Sequence, residues 1–216
     1  MKLHLGCGEV HLLDYINIDF PPEFHTVQVD KAADEYHNIL ELSYPPESID
    51  EIRHHHVFEH FSRAVAIGLL AGWWSWLKPE GLLHIEVPDF NRTALSVLDP
   101  FSSERKKMVG LRHIFGSQEA DWAVHYEGWS SQRLKKLLKQ MGFRINKIEK
   151  QSYKATYNFH IYAQKQVNQL SQNDFRDIAR LWLKKSLVDE SVSELKMLEI
   201  WMEQFDNQIK KTWAKE

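Results

Sequence analysis

Leu3-His4-Leu5-Gly6-Cys7-Gly8 is the stretch of sequence that decides the fold. The apolar alternation of Lys2–Leu5 predicts a short β-strand, and the two glycines predict a tight turn directly after it. A second apolar run, Tyr15–Asp19, predicts the next strand and ends on a carboxylate. Glycine lets a ligand approach the backbone because no Cβ is in the way, and a carboxylate at a strand end can accept hydrogen bonds from both hydroxyls of a ribose. Together these features predict a nucleoside site on a Rossmann-type sheet.

A dinucleotide such as NAD fits this site poorly. The Gly-x-Gly-x-x-Gly fingerprint needs a third glycine where the chain has His11, and an acid about 20 residues further on. Asp19 instead follows Gly8 by eleven residues, which leaves no room for the full helix that cradles a pyrophosphate. The spacing therefore disfavours NAD.

The composition is that of an ordinary globular protein. Apolar residues make up 43% of the chain and charged residues 26%, and the net charge of −3 offers no basic excess for nucleic acid. Cys7 is the only cysteine, so no disulfide can form within the chain, and the first residues lack the apolar core of a signal peptide. No apolar run has the length of a membrane span. These features predict a cytoplasmic protein without a nucleic-acid partner or a membrane span.

Further along the chain, strand patterns alternate with helical patterns, which predicts an α/β fold with a parallel or mostly parallel sheet. The remaining strands are predicted at Val27–Val29, Ile49–His55, Leu82–Val87, Phe143–Ile148 and Thr156–Ala163. Helices are predicted over Ser62–Leu77, within Asn91–Gly116 and over Ser130–Met141. A bend at Lys78–Gly81 is predicted to follow the first of these helices. Ser130 is expected to be the N-cap of the last of these, with Gly142 just past its end.

The character of the chain changes from about Ser171 onward. Apolar residues recur there at spacings of three and four with charges between them, which predicts a pair of amphipathic helices. We therefore expect a C-terminal helical extension, residues 167–216, appended to a sheet domain of residues 1–166. Packing on the domain, homodimerisation and docking to a partner are the three roles open to this extension.

Several motifs, in order along the chain, resemble those of class I S-adenosylmethionine-dependent methyltransferases, and in particular the compact group with a shortened first helix. The resemblance runs from Lys2 to about Lys165 and rests on Leu3–Gly8 with Tyr15–Asp19, Leu42–Ile52, His56–Phe61, Trp76–Gly81 with Ile85–Phe90, Phe115–Gln118 and Met141–Phe143. It implies a Rossmann-like sheet, mostly parallel with its last strand antiparallel, and S-adenosylmethionine as cofactor. Glu80 departs from the family pattern, which has a glycine at this position of the bend.

The resemblance also implies which residues bind the cofactor: Leu5, Gly6, Cys7, Gly8, Asp19, Phe20, Asn38, His56 and Val57. Asp19 would bind the ribose, and the backbone of His56 and Val57, at the carboxyl edge of the fourth strand, would touch the methionine part. Asn38 is the best-placed residue to accept a hydrogen bond from the adenine amino group. Asp34 and Asp30 are alternatives for that role.

Methyl transfer to oxygen or nitrogen requires a base when the acceptor is not already nucleophilic. Three side chains are candidates: His125, Asp89 and His60. His125 is favoured because its loop is aromatic and precedes a helix, as in many substrate lids. Since the sequence begins at its first strand, a lid is expected from residues 90–130 or from the C-terminal helices. Members of the family are often encoded among enzymes that build surface glycans, so the expected acceptor is a small molecule or a sugar.

Two other functions fit parts of the sequence. His56-Val57-Phe58-Glu59-His60 matches the His-x-x-Glu-His pattern of some zinc proteases, which suggests a zinc hydrolase using His56, Glu59 and His60. However, His56 is expected at a strand end and His60 one turn into a helix, so the two rings would not share a helix face, and no metal is expected. The other alternative is a non-catalytic module that binds a nucleoside or recruits a partner.

Overall fold

The structure is a computed structural model that describes residues 1–167 and 169–213. Its centre is a seven-stranded sheet with the strand order β3-β2-β1-β4-β5-β7-β6. The strands are β1 (Lys2–Leu5), β2 (Ile16–Asp19), β3 (Glu35–Tyr36), β4 (Ile49–His55), β5 (Leu77–Pro88), β6 (Phe143–Tyr153) and β7 (Thr156–Lys165). β1 to β5 are parallel, and β7 runs antiparallel to both β5 and β6. This is the sheet that the resemblance implied.

Six α-helices complete the described part of the fold: α1 (Arg63–Trp76), α2 (Phe90–Leu98), α3 (Glu104–Phe115), α4 (Ser131–Gln140), α5 (Gln172–Lys184) and α6 (Val192–Thr212). As predicted, the Ser130 side chain accepts a hydrogen bond from Arg133 N and caps α4, and Gly142 follows its end with φ 79°. The connection between β1 and β2 contains no helix. That short connection keeps the Gly6–Gly8 turn close to Asp19.

One predicted strand is wrong, and one predicted bend lies within a longer strand. Val27–Val29 lies in a loop, with Val29 85% exposed and its N–H donated to the Glu9 side chain. The third strand is instead Glu35–Tyr36, because these residues pair in parallel with Ile18 and Asp19 of β2. The bend at Lys78–Gly81 is a bulge within β5, since Ile49 pairs with Leu77 but Glu51 pairs with Leu82. Glu80 has φ 63° there, a conformation that glycine adopts more easily.

The two faces of the sheet differ in polarity. Leu3, Ile52, Ile85 and Ile161 are fully buried in one core with residues of α1 and α4. The alternate positions form a polar row across four strands, in which His4 pairs with Arg53, Arg53 with His84, and His84 with Tyr162. Because side chains alternate along a strand, each strand contributes to both faces.

The C-terminal helices α5 and α6 pack against α1. A Cβ on Gly72 would lie 2.5 Å from Thr212 Oγ1, so α1 and α6 approach each other more closely than larger residues allow. Gln208 in α6 donates a hydrogen bond of 3.0 Å to the Leu40 carbonyl. The extension thereby touches the segment that follows β3. No helix in residues 1–167 and 169–213 is both long enough and apolar enough to cross a bilayer.

Candidate active site

A cavity of about 400 Å³ opens at the carboxyl ends of β1, β2, β3 and β4. Its walls are formed by Gly6, Gly8, Asp19, Phe20, His25, Gln28, His37, Asn38, Ile39, Leu40, His56, Val57, His60, Phe61, Asp121, Trp122 and Tyr126. The strand order reverses between β1 and β4, and ligands of open α/β sheets bind in the crevice at such a reversal. The volume falls within the range of about 300–1,000 Å³ that is typical of small-molecule sites.

The glycine turn forms one wall of this cavity. Gly6 has φ 64° and Gly8 has φ 57°, both in the left-handed region. A Cβ on Gly6 would lie 2.3 Å from Val57 Cγ2, whereas a Cβ on Gly8 would meet no atom of the described residues within 4 Å. Gly6 is therefore required for packing against Val57. Gly8 leaves free the space that a ligand would need.

Leu5 and Cys7, which the resemblance placed with the cofactor, are buried and are not part of the cavity wall as described. Both side chains are packed beneath the turn. The backbone N–H groups of Gly6 and Cys7 both donate a hydrogen bond to the Ile18 carbonyl. Burial and the neighbouring Asp19 carboxylate raise the pKa of the Cys7 thiol to about 12. Cys7 is therefore a protonated, unreactive thiol near neutral pH.

Asp19 lies at the end of β2, and its side chain is held by the backbone on both sides. Oδ2 accepts a hydrogen bond of 2.8 Å from Gly8 N, and Oδ1 accepts one of 2.7 Å from Phe20 N. The carboxylate thus links the ends of β1 and β2 and faces the cavity. Oδ2 also accepts a weak hydrogen bond of 3.9 Å from Cys7 Sγ, whereas Oδ1 keeps a second lone pair that can accept a ligand hydroxyl.

Of the three residues considered for adenine recognition, Asn38 is the one that lines the cavity. Its Oδ1 accepts a hydrogen bond of 3.0 Å from Leu40 N, which leaves a second lone pair. Asp34 is occupied elsewhere, because its carboxylate accepts hydrogen bonds from the backbone and side chain of Asn17. Asp30 is exposed and lies outside the cavity wall.

His56 follows β4 and has φ 53°, an unusual conformation for a residue with a side chain. Its Nδ1 is 3.2 Å from Glu59 Oε1, and its Nε2 is 3.5 Å from Glu86 Oε1. Burial disfavours the charged ring, but the hydrogen bonds to the two carboxylates outweigh it and raise the pKa of His56 to about 10. For Glu86, burial is likewise outweighed by its histidine neighbours, above all His56, which lower the pKa to about 2. His56 is therefore a cation between two carboxylates at neutral pH.

The segment from 116 to 129 closes one side of the cavity. Trp122 lines the cavity, and its Nε1 donates a hydrogen bond of 3.0 Å to the Phe24 carbonyl. Tyr126 N donates one of 2.9 Å to the Glu59 carbonyl, which joins the segment to the turn after β4. Part of the predicted lid region, residues 90–130, therefore lies over the cavity.

The three predicted catalytic residues occupy different positions. His60 lines the cavity, and His125 lies behind it with the two ring centroids 4.8 Å apart. Asp89 is only 2% exposed and caps α2, because its Oδ1 accepts a hydrogen bond from Arg92 N. Its side chain is not part of the described cavity wall. The geometry therefore favours His60 over His125 for contact with a substrate and gives Asp89 a capping role.

The histidines of the His-x-x-Glu-His pattern do not act as a pair. β4 ends at His55, and Phe58–His60 forms a single 3-10 turn before α1 begins at Arg63. His60 therefore precedes the helix instead of lying in its first turn. In the described part of the chain, the group with metal-ligand spacing that contains Glu59 and His60 has His125 as its third member, not His56.

Several wall residues were not predicted from the sequence. His25, Gln28 and Trp122 come from segments without a recognisable motif, and they reach the cavity only because the chain folds back over it. Ile39 and Leu40 directly follow Asn38 in the sequence, so the set of site residues predicted around Asn38 could have included them. Glu86 carried a usable signal, since it is an acid within an otherwise apolar strand.

Comparison with known proteins identifies the fold. No protein-family model matches the sequence, and no curated protein sequence matches it either. Among solved structures, the chain is similar to an S-adenosylmethionine-dependent methyltransferase from Methanosarcina mazei, with 16% identity, a TM-score of 0.52 and coverage of 77% of this chain and 92% of that one. A second, from Archaeoglobus fulgidus, is 17% identical with a TM-score of 0.51 and coverage of 76% and 85%. A third, from Mesorhizobium loti, is 13% identical with a TM-score of 0.51 and coverage of 76% and 90%. The chain has the class I methyltransferase fold.

Proposed function

We propose that the protein is an enzyme that transfers a methyl group from S-adenosylmethionine to a small-molecule acceptor. The observation that carries this proposal is the pairing of Gly8 with Asp19 at the cavity. Gly8 leaves open space where a Cβ would stand, and the Asp19 carboxylate is held beside it by two backbone N–H groups. A cofactor with a ribose needs both features at one place.

The residues around the cavity fit the parts of this cofactor. Asp19 would accept hydrogen bonds from the ribose hydroxyls, and Asn38 would accept one from the adenine amino group beside the apolar side chains of Ile39 and Leu40. The backbone of the Gly6–Gly8 turn and of Val57 would face the methionine part. When bound, the cofactor supplies an electrophilic methyl group on a sulfonium.

The contribution of the protein is to position the acceptor and to handle its proton. His60 Nδ1 lies 3.1 Å from the Val124 carbonyl, so Nδ1 carries a proton and Nε2 has the free lone pair in the neutral ring. Because His60 lines the cavity, Nε2 is the group placed to accept a proton from an acceptor hydroxyl or amine. Trp122 and Tyr126 would exclude water from the same side.

For the acceptor we propose a small molecule, with sugars and other glycan precursors as the leading class and either oxygen or nitrogen as the methylated atom. The hydrogen bond between Trp122 and the Phe24 carbonyl limits access to the cavity, which suits a small acceptor better than a polymer. The net charge of −3 also does not favour a nucleic acid. A location in the cytoplasm and a division into residues 1–166 and 167–216 are part of the same proposal.

The decisive experiment is calorimetric titration with S-adenosylmethionine and S-adenosylhomocysteine. The wild-type protein should bind both with one site per chain. Asp19→Ala should bind each at least about tenfold more weakly, since a lost hydrogen bond to a charged group costs about 1.5–3 kcal/mol. No detectable binding to the wild type would refute the proposal, and unchanged affinity in Asp19→Ala would refute the ribose assignment.

Turnover is tested separately, by release of S-adenosylhomocysteine with a panel of sugars, phenols and amines. His60→Gln should lose turnover while it keeps cofactor affinity, and His11→Gln, an exposed histidine outside the cavity wall, serves as the matched control. Cofactor binding without turnover on any acceptor would favour the non-catalytic nucleoside-binding module.

A further inference from the structure

Three side chains with metal-ligand atoms meet beside the cavity: Glu59, His60 and His125. One ligand atom from each lies within 4.8 Å of the other two. His60 faces the cavity, whereas Glu59 and His125 line a small recess directly behind it. The three residues therefore lie where the cavity and the recess adjoin.

The two histidines are held in the orientation that a metal ligand requires. His60 Nδ1 is 3.1 Å from the Val124 carbonyl, and His125 Nδ1 is 3.1 Å from the His113 carbonyl. Because a carbonyl only accepts hydrogen bonds, both rings carry their proton on Nδ1 and keep the lone pair on Nε2. Metal-ligating histidines almost always donate their other ring N–H in this way.

Glu59 provides the independent observation that points to a ligand. The residue is 1% exposed, and its Oε2 has no hydrogen-bond partner among the described residues. Oε1 interacts with His56 at 3.2 Å and is 3.9 Å from His125 Nε2, too far for a hydrogen bond. A buried carboxylate oxygen without a partner is costly, and a cation bound by the Glu59 carboxylate through Oε2 would supply that partner.

We propose that Glu59, His60 and His125 bind one divalent transition-metal ion of the zinc class. Two imidazoles and one carboxylate are ligands that suit such ions and leave coordination positions free. Bond lengths of about 2.0–2.2 Å place tetrahedral ligand atoms about 3.4 Å apart, so the side chains must close slightly from their spacing of up to 4.8 Å. Because His60 forms part of the cavity wall and Glu59 and His125 line the recess, the ion would lie between the cavity and the recess.

A second histidine group, His55, His84 and His160, has similar spacing on the polar face of the sheet. Its nitrogens are already used: Arg53 Nε donates to His55 Nε2 at 2.9 Å, and His84 Nε2 is 3.2 Å from His160 Nδ1. This group therefore carries no proposal and supplies a matched control.

The consequence for catalysis rests on the proposed function. An ion at this site would bind an oxygen of the acceptor and lower the pKa of its hydroxyl. His60 would then serve as a ligand instead of accepting the proton itself. The two roles differ in an observable way, since only the metal-bound form requires the ion for turnover.

The test is metal binding by the full-length protein, without cofactor. After treatment with a chelator, the protein is titrated with Co²⁺ and the visible absorption of the bound ion is followed. Wild type and His160→Ala should bind one ion per chain with a spectrum of nitrogen and oxygen ligands. His125→Ala and Glu59→Gln should bind the ion more than about 100-fold more weakly. Loss of a residue that only hydrogen-bonds to a metal ligand lowers metal affinity by about 10–100-fold, so a larger loss indicates a ligand. Thermal unfolding of each variant establishes that it is folded, and His60→Ala replaces any variant that is not.

Absence of a bound ion in the wild type would overturn the proposal, as would binding that is lost in His160→Ala and retained in His125→Ala. Titration of the same samples with S-adenosylmethionine keeps the two proposals distinct. An ion bound by a protein that does not bind the cofactor would support the metal site and refute the methyltransferase. A protein that binds the cofactor but no ion would support the methyltransferase and refute the metal site.

Discussion

Replacement of Gly6 by alanine tests the packing of the Gly6–Gly8 turn most directly. The new Cβ would lie 2.3 Å from Val57 Cγ2, far inside the contact distance of about 3.5–4.0 Å between carbon atoms. Gly6 also has φ 64°. We therefore expect Gly6→Ala to destabilise the protein through both a steric clash and backbone strain.

The structure separates these two contributions. The left-handed conformation costs alanine about 1–2 kcal/mol, and overpacking adds about 1–3 kcal/mol, for a total of about 2–5 kcal/mol. Val57→Ala removes both γ-methyl groups and leaves Val57 Cβ, at 3.5 Å, as the nearest atom of that residue. In this background Gly6→Ala should cost only the strain, so the double-mutant coupling should be about 1–3 kcal/mol.

Urea unfolding followed by tryptophan fluorescence measures all four members of the cycle. Gly8→Ala is the matched control in the same turn, because Gly8 has φ 57° and a Cβ there would meet no atom within 4 Å in the part of the chain that the structure describes. It should lose only about 1–2 kcal/mol of stability, while its methyl group enters the cavity and weakens cofactor binding. Additivity of Gly6→Ala and Val57→Ala within about 0.5 kcal/mol would refute the reasoning.

Three further predictions follow from buried contacts and shifted pKa values. Gly72→Ala should lower the free energy of unfolding by about 1–3 kcal/mol, because its Cβ would lie 2.5 Å from Thr212 Oγ1; an unchanged melting temperature would contradict the close packing of α1 and α6. His56 has a folded pKa of about 10 against an ordinary value of 6.5, so its contribution is complete below pH 6.5 and is lost as the pH rises through 10. The melting temperature of the wild type should therefore fall more steeply over that range than that of His56→Gln, and parallel curves would count against the ion pairs. Cys7, with its pKa near 12, should react slowly with iodoacetamide at about pH 8 in the folded protein and rapidly after unfolding; mass spectrometry that finds rapid labelling of the native chain would contradict its burial.

Local patterns were enough to predict most of the sheet. β1 and β2 follow from short runs of alternating apolar residues that end at a glycine or an acid, and β4 follows from a segment that begins apolar and ends in histidines. The cap of α4 follows from Ser130. Such signals are carried by neighbouring residues, which is why one sequence suffices to identify them. The prediction at Val27–Val29 failed because alternation over three residues does not reveal whether another strand is available to pair with it.

The sequence by itself determined the floor of the candidate site, since the Gly6–Gly8 turn and Asp19 are close along the chain and their spacing already excludes a dinucleotide helix. Only the tertiary structure decided the other walls. His60 and His125 are distant in sequence, and their rings meet because the segment from 116 to 129 returns to the end of β4. The same folding turned Asp89 from a candidate base into a helix cap. Which titratable side chain reaches the cavity depends on contacts between remote segments, and those contacts leave no local pattern in the sequence.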